Sequence, residues 1–158
     1  MERALSDAIA LAAVAHGGEV DKSGQPYITH PIRVMMRCQE HGLHAQMAAV
    51  LHDVVENTWV TLDLLRTMGF PGDVVEAVDA ISRRKGHESY PQYIERCSRN
   101  RIATLVKLAD IEDNSDPRRR FGDHYERVMA KYAAERAVLL ASLDRHAGGM
   151  AAAQAPAN

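Results

Sequence analysis

The stretch Ala48-Ala-Val-Leu-His-Asp-Val-Val-Glu-Asn-Thr58 carries the most information about the fold of this chain. Its apolar residues recur at helical spacing, and a helix would gather the polar residues at 52, 53, 56 and 57 on one patch. Burying two carboxylates, an imidazole and an amide is costly unless a cation or hydrogen bonds compensate them. An isolated His-Asp pair is also typical of a helix surface or of a hydrogen-bonded core histidine. The metal-site hypothesis therefore depends on further ligands elsewhere in the chain.

The rest of the chain shows the same helical periodicity, and alternating β-branched runs are scarce. The sequence therefore predicts an all-α fold. The predicted helices cover about 3–16, 30–40, 45–55, a segment that Thr61 caps, 73–82, 90–98, 102–114 and 125–143. The segment 17–26 is rich in glycine and turn formers and predicts a long loop. We expect one domain at 1–147 and a frayed, disordered tail at 148–158, because the tail has little to bury.

The composition is typical of a soluble globular domain, with 46% hydrophobic and 25% charged residues among 158. A chain of this length can bury roughly two-thirds of its unfolded surface without disulfides. The formal net charge of -2 argues against a nucleic-acid binder, because phosphate contacts need a basic excess. Cys38 and Cys97 lie far apart, and neither an apolar leader nor a membrane-length apolar stretch occurs. We therefore expect a cytoplasmic protein that does not bind membranes; the oligomeric state stays open.

Residues outside the central stretch supply further candidate metal ligands. Asp110 follows the apolar run Leu105-Val-Lys-Leu-Ala109, and Asn114 lies four positions later, on the same helix face. His30 lies where the glycine-rich loop meets the second predicted helix. Together His30, His52, Asp53 and Asp110 form a mixed nitrogen and oxygen ligand set suited to Mn²⁺, with Fe²⁺ or Zn²⁺ possible and Mg²⁺ less favoured. Four such ligands leave coordination positions open for water and substrate.

Three blocks of this sequence resemble a known family. They are Ala15-His-Gly-Gly-Glu-Val-Asp-Lys-Ser-Gly-Gln-Pro-Tyr-Ile-Thr-His-Pro-Ile-Arg-Val34, His52-Asp-Val-Val-Glu-Asn-Thr58 and Val106-Lys-Leu-Ala-Asp-Ile-Glu-Asp-Asn114. In this order they look like the HD-domain hydrolase of the Rel/SpoT alarmone family, and most like its stand-alone small alarmone hydrolases. Three spaced blocks are far more specific than any one of them.

The resemblance implies a single HD-domain helical fold with a central metal site. It implies one Mn²⁺ held by His30, His52, Asp53 and Asp110, and removal of the 3′-pyrophosphate from guanosine 3′,5′-bis(diphosphate) or its 5′-triphosphate relative. Bifunctional members of the family carry a synthetase domain after the hydrolase domain. This chain ends too soon to hold one, so we expect it to degrade alarmone and not to make it.

The residue types suggest separate roles around the metal. Glu56 is the candidate general base for a metal-activated water. Asn57 and Asn114 are suited to orienting water, phosphate or ribose hydroxyls, because an amide does not titrate. Lys22 and the basic residues at 83–85 can offset the charge of the nucleotide substrate's diphosphates.

Three positions depart from the family pattern. Many members have Glu-Asp where this chain has Glu56-Asn57. Many also have, in place of Asp21, an arginine that stacks on the guanine. Pro117 replaces a polar residue that often touches the nucleotide. An acidic side chain cannot make that cation–π contact. Two alternatives therefore stay open: an HD phosphohydrolase acting on another nucleotide, such as an adenosine alarmone, or a nucleotide-binding module with little or no turnover.

Overall fold

Helices build the whole of the described fold, which covers residues 4–116 and 125–153 of a computed structural model. The helices are α1 Leu5–Ala15, α2 Thr29–Arg37, α3 Leu43–Leu51, α4 Val54–Asn57, α5 Leu62–Thr67, α6 Gly72–Ile81, α7 Tyr90–Ser98, α8 Arg101–Asn114 and α9 Tyr125–Ala153. A short 3₁₀ turn at Gln39–His41 follows α2. Within these residues the only β-type pairing is an isolated bridge between Val20 and Pro26. The prediction of an all-α fold is confirmed.

Helix α3 is the centre of the packing. It contacts α1, α2, α6 and α8, and a helix surrounded in this way must be apolar nearly all round. Six of its nine residues are buried, and Ala49, Val50 and Leu51 are completely so. Alanines at 45, 48 and 49 let the neighbouring helices approach closely. The C-terminal end of α3 therefore lies deep in the molecule, and His52 follows it directly.

The sequence prediction of one helix over residues 45–55 is wrong, because the chain breaks between α3 and α4. The Ala49 carbonyl would accept the Asp53 amide in a continuous helix. It accepts instead the His52 amide at 3.4 Å and the His52 Nδ1 at 2.7 Å. Helix α4 then resumes for one turn and is followed by Trp59, which is 60% exposed. The break places His52 and Asp53 in a turn and changes the direction of the residues after them.

Side-chain caps mark the starts of α5, α7 and α8. The predicted cap Thr61 is confirmed, since its side chain accepts the Leu64 amide. Ser89 and Gln92 form a reciprocal capping box at α7, and Asn100 caps α8.

None of the described helices combines the length and the apolar character needed to cross a membrane.

The last helix is longer than the sequence predicts. It was expected to end near residue 143, but α9 continues to Ala153, consistent with the high helix propensity of its alanines. The domain limit at residue 147 stays a prediction, and residues 154–158 lie outside the described part of the chain. Pro117 lies outside it as well.

Candidate metal centre

Four side chains from three separate segments converge at the C-terminal end of α3. His30 comes from the first turn of α2, His52 and Asp53 from the α3–α4 turn, and Asp110 from α8. The His30 Nε2 lies 3.2 Å from Asp110 Oδ1 and 3.8 Å from Asp53 Oδ2. The His52 Nε2 lies 3.2 Å from Asp53 Oδ2 and 3.8 Å from Asp110 Oδ1. Two nitrogens and two carboxylates thus face one point.

The second nitrogen of each imidazole fixes which atom faces that point. The His52 Nδ1 donates a hydrogen bond to the Ala49 carbonyl, because a carbonyl can only accept. The His30 Nδ1 donates to Asp113 Oδ2 at 2.8 Å. Both Nε2 atoms are therefore left with their lone pairs available in the neutral tautomer, the arrangement that a metal ligand requires.

An orphaned buried atom tests whether a metal fits here. The His52 Nε2 is buried and makes no hydrogen bond of good geometry within the described residues, although Asp53 Oδ2 lies 3.2 Å away. A buried polar nitrogen without a partner is costly unless an ion or water satisfies it. His30, His52 and Asp53 also offer ligand atoms that all lie within 4.8 Å of one another. The donor set is therefore suited to a divalent cation.

The two carboxylates are held in place by other side chains. The Tyr27 hydroxyl donates a hydrogen bond to Asp53 Oδ2. Lys107 donates to Asp110 Oδ2 at 2.8 Å, and the Asn114 amide donates to Asp110 Oδ1 at 2.7 Å. Such outer contacts fix the direction of a ligand before the metal arrives.

The charges of the centre shift its pKa values. Burial lowers the pKa of the His52 imidazole, but the facing Asp53 and Asp110 carboxylates outweigh burial and raise that pKa to about 9. Burial raises the pKa of Asp53, yet His52 outweighs it and holds this pKa well below its usual range. Burial also raises the pKa of Asp110, but the nearby charges, above all that of Lys107, outweigh burial and hold this pKa well below its usual range. The carboxylates are thus ionised at neutral pH, and a bound cation would displace imidazole protons.

The centre opens into a cleft of about 730 Å³. The predicted residues Glu56, Lys22 and Asn114 all line it. Lys22 is exposed on the loop before α2, whereas Asn114 is half-buried at the end of α8. The fourth predicted residue, Asn57, is exposed and is not among the residues that line the cleft. Its predicted role therefore gains no support from this placement.

The carboxylate of Glu56 is held by the segment between α6 and α7. Its Oε2 accepts the backbone amide of Arg83 at 3.0 Å, and its Oε1 pairs with the Lys85 Nζ at 3.0 Å. Lys85 is 62% exposed. The candidate base is therefore oriented by a backbone amide and by an exposed lysine.

Asp21 has a structural task that the sequence did not reveal. Its Oδ1 accepts hydrogen bonds from the Ser23 amide at 2.8 Å and the Gln25 amide at 3.1 Å. Gly24, with φ of 78°, supplies the left-handed residue of the same turn. The Asp21 side chain therefore shapes the loop that lines the cleft.

Sequence analysis missed two residues that support the ligands. Asp113 accepts hydrogen bonds from His30 and, in a bidentate pair at 2.8 and 3.1 Å, from Arg33. Tyr27 braces Asp53. Helical spacing could have found Asp113, which lies three positions after Asp110 in α8, but not Tyr27, which lies in the turn before α2.

This chain is similar to known proteins of one family. A family model described as an HD domain matches residues 8–116. A guanosine-3′,5′-bis(diphosphate) 3′-pyrophosphohydrolase of Haemophilus influenzae is 38% identical over 66% of this chain, and the bifunctional (p)ppGpp synthase/hydrolase SpoT of Escherichia coli is 33% identical over 70%. The aligned regions cover 17% of the length of each of these two relatives.

A solved structure is similar over nearly the whole chain. It is described as a metazoan ortholog of SpoT that hydrolyses ppGpp and plays a role in starvation responses. The TM-score is 0.69 at 25% identity, and the match covers 89% of this chain and 92% of that one. The fold is thus a single HD-domain helical fold. The chain belongs to the HD-domain family, and the three relatives described above are named for ppGpp hydrolysis or for SpoT.

Proposed function

We propose that this protein is a Mn²⁺-dependent hydrolase that removes the 3′-pyrophosphate from guanosine 3′,5′-bis(diphosphate)-type alarmones. The observation that carries the proposal is the convergence of His30, His52, Asp53 and Asp110, with an orphaned His52 Nε2, at the base of a cleft. The printed activities of the relatives support the choice of substrate.

The four converging residues would hold the metal. Two imidazole nitrogens and two carboxylates suit Mn²⁺ better than Mg²⁺, which prefers oxygen ligands and retains its waters. A divalent cation here supplies a water of lowered pKa and polarises the phosphate. Tyr27, Lys107 and Asn114 keep the two carboxylates in their directions.

Glu56 is proposed as the base that accepts the proton of the attacking water. The water adds to the phosphorus attached to the ribose O3′, the O3′–P bond breaks, pyrophosphate leaves, and the O3′ gains a proton. The amide of Arg83 holds Glu56 Oε2 on the cleft wall. Lys85 must release Oε1, or share it, when Glu56 takes up the proton.

The remaining polar residues of the cleft bind or orient substrate. Asn114 lies beside Asp110 and presents an amide at the mouth of the metal centre. Lys22 provides an exposed cation for the nucleotide's phosphates. The fixed cation Lys107 is largely neutralised by Asp110, so its main proposed task is to orient that ligand.

Incubation of the purified protein with Mn²⁺ and guanosine 3′,5′-bis(diphosphate) tests the activity through pyrophosphate release. Asp53→Ala should lose both metal and activity. Glu56→Gln keeps an acceptor for the Arg83 amide, so it should bind Mn²⁺ normally and lose about 10²- to 10⁴-fold in kcat. Equal loss of metal in both variants would refute the role of Glu56.

A second candidate substrate is another nucleotide, such as an adenosine alarmone. It is favoured by Asp21, whose carboxylate shapes the loop at the cleft and cannot stack on a base as an arginine does. Release of pyrophosphate only from adenosine 3′,5′-bis(diphosphate), in a parallel assay, would support this candidate. Binding of either compound without release would indicate a module with little or no turnover.

A further inference from the structure

Arg83 and Lys22 both line the cleft without an ion pair to an acidic residue in the described part of the chain. Lys22 is exposed, whereas Arg83 has a partly buried guanidinium. No hydrogen bond or ion pair of that group occurs within the described residues, and its Nε is buried without a partner. By contrast, Arg84 pairs with Asp79 at 3.2 Å, Lys85 with Glu56 and Lys107 with Asp110. A buried donor without an acceptor is costly, so this one is a candidate for meeting an acceptor on a ligand.

The Arg83 side chain is also held in place. Its guanidinium lies over the Tyr90 ring at 5.1 Å from the centroid. Stacking on an aromatic face fixes the plane of a guanidinium and leaves the N–H groups at its edge free to bind a phosphate with two parallel hydrogen bonds. Arg83 and Tyr90 both line the cleft.

Two sets of contacts connect Arg83 with the reacting end of the cleft. Through its own backbone, Arg83 donates to Glu56, the proposed base. Along the wall, Tyr90 contacts Tyr93 at 5.5 Å, and the Tyr93 ring lies 5.6 Å from the Lys107 Nζ, which binds Asp110. Both sets of contacts lead from Arg83 to residues at the reacting end of the cleft, the proposed base Glu56 and the ligand candidate Asp110.

We propose that Arg83 binds the outer phosphate of the 3′-diphosphate, the group that leaves as pyrophosphate. This inference rests on the proposed function, in which the metal and Glu56 act on the inner phosphate attached to O3′. The next phosphate along needs its own counter-charge, and Arg83 has unused donors on the same wall. The step needs no further reactant, because Arg83 binds the pyrophosphoryl group that passes from O3′ to water and transfers no proton itself.

Calorimetric titration of inorganic pyrophosphate into metal-free protein tests the subsite without interference from chelation. Arg83→Gln should weaken pyrophosphate binding by about tenfold or more, as expected for loss of a charged hydrogen-bonding pair. Arg83→Lys keeps the charge but loses the planar guanidinium, so its affinity for pyrophosphate should lie between those of the wild type and Arg83→Gln. Arg84 was also a sequence candidate for the diphosphates, but it does not line the cleft and pairs with Asp79. Arg84→Gln removes an equal charge one residue away and should change binding less than about twofold.

GDP, which carries only a 5′-diphosphate, identifies the phosphate that Arg83 recognises. Its affinity should stay the same in Arg83→Gln. Weaker GDP binding in this variant, unchanged pyrophosphate binding, or an equal loss in Arg84→Gln would each overturn the proposal. Circular dichroism melting checks the fold, and Arg83→Lys provides the comparison should Arg83→Gln unfold.

The kinetic assay separates this inference from the proposed function. If pyrophosphate binding depends on Arg83 but no alarmone is hydrolysed, the subsite is supported and the proposed activity is contradicted. Hydrolysis with an unchanged KM and kcat in Arg83→Gln would remove the subsite and leave the activity. If both the subsite and the activity are correct, Arg83→Gln should raise KM for guanosine 3′,5′-bis(diphosphate) about tenfold and weaken inhibition by pyrophosphate in parallel.

Discussion

Individual residues show how far single side chains determine the metal centre. Asp113 is completely buried and joins the ligand candidate His30 to Arg33. Burial raises the pKa of Asp113, but His30 and Arg33 outweigh it and hold that pKa well below its usual range. An ionised carboxylate fixes the tautomer of His30 and makes its Nε2 a better electron donor to a metal.

We predict that Asp113→Asn weakens Mn²⁺ binding by about 10- to 100-fold. The neutral amide lacks the negative charge that fixes the tautomer of His30 and makes its Nε2 a better electron donor. Titration followed by the electron paramagnetic resonance of free Mn²⁺ measures the affinity. Glu112→Gln is the matched control, since Glu112 is the neighbouring acid, is 67% exposed and pairs with Arg37 on the surface. Equal affinities of the two variants would contradict the role of Asp113.

The sequence anticipated the set of candidate ligands better than their surroundings. Spacing and family resemblance pointed to His30, His52, Asp53 and Asp110, which the structure brings together. The contact between Glu56 and Arg83 joins residues 27 positions apart, so no local pattern predicts it. Asn57 was expected at the site from helical spacing and from its amide; it lies after the α3–α4 break and does not line the cleft, so its role stays a prediction.

At the scale of elements, one arginine joins α7 to the end of α6. Arg96 donates to the carbonyls of Asp79 and Ala80 at 2.8 and 3.1 Å and to that of Ser82 at 2.8 Å, where α6 has no further amides to offer. It also pairs with Glu88, and mainly this pairing lowers the Glu88 pKa to about 2. Arg96 thereby anchors both ends of the segment that carries Arg83 and Lys85.

We predict that Arg96→Ala lowers the free energy of unfolding by about 2–4 kcal/mol, because it leaves carbonyls and a partly buried carboxylate without a donor. Urea unfolding at pH 7 measures the change. The control is Arg99→Ala, three residues later, which removes a 75% exposed side chain paired at 3.6 Å and should cost less than about 0.5 kcal/mol. A loss in the control as large as in Arg96→Ala would count against specific capping.

Helix positions were largely predictable from sequence because their signals are local. The limits of α7 match the prediction at Tyr90–Ser98, where Ser89 caps the helix. The end of α3 was missed because a histidine side chain competes for a backbone carbonyl there, and that competition depends on the buried centre.

For the molecule as a whole, the metal centre is also a folding element. It ties α2, the α3–α4 turn and α8 through charges that are all buried or half-buried. Without a cation, the attraction between protonated imidazoles and carboxylates must hold these segments together. Stability of the metal-free protein therefore depends on the protonation of His52.

The sign of this dependence follows from the raised pKa of His52. Its pKa is 6.5 in the unfolded reference and about 9 in the folded protein. The stabilisation is therefore complete below pH 6.5 and is lost as the pH rises through about 9. We predict that the melting temperature in EDTA falls between pH 6.5 and 9, whereas Mn²⁺ stabilises more strongly at the higher pH because protons no longer compete.

Melting curves with and without metal across this range test the prediction. His44→Gln is a control, because His44 pairs with Asp73 at the surface and lies outside the centre. It should keep the pH dependence that His52→Gln loses. A melting temperature in EDTA that rises or stays level from pH 6.5 to 9 would contradict the prediction.

Trp59 is the only tryptophan in the chain, and it lies exposed just after the short helix that carries Glu56. Intrinsic fluorescence excited at the indole band therefore comes from one place in the molecule. Changes in its emission when metal or nucleotide is added would report on this corner without any attached label.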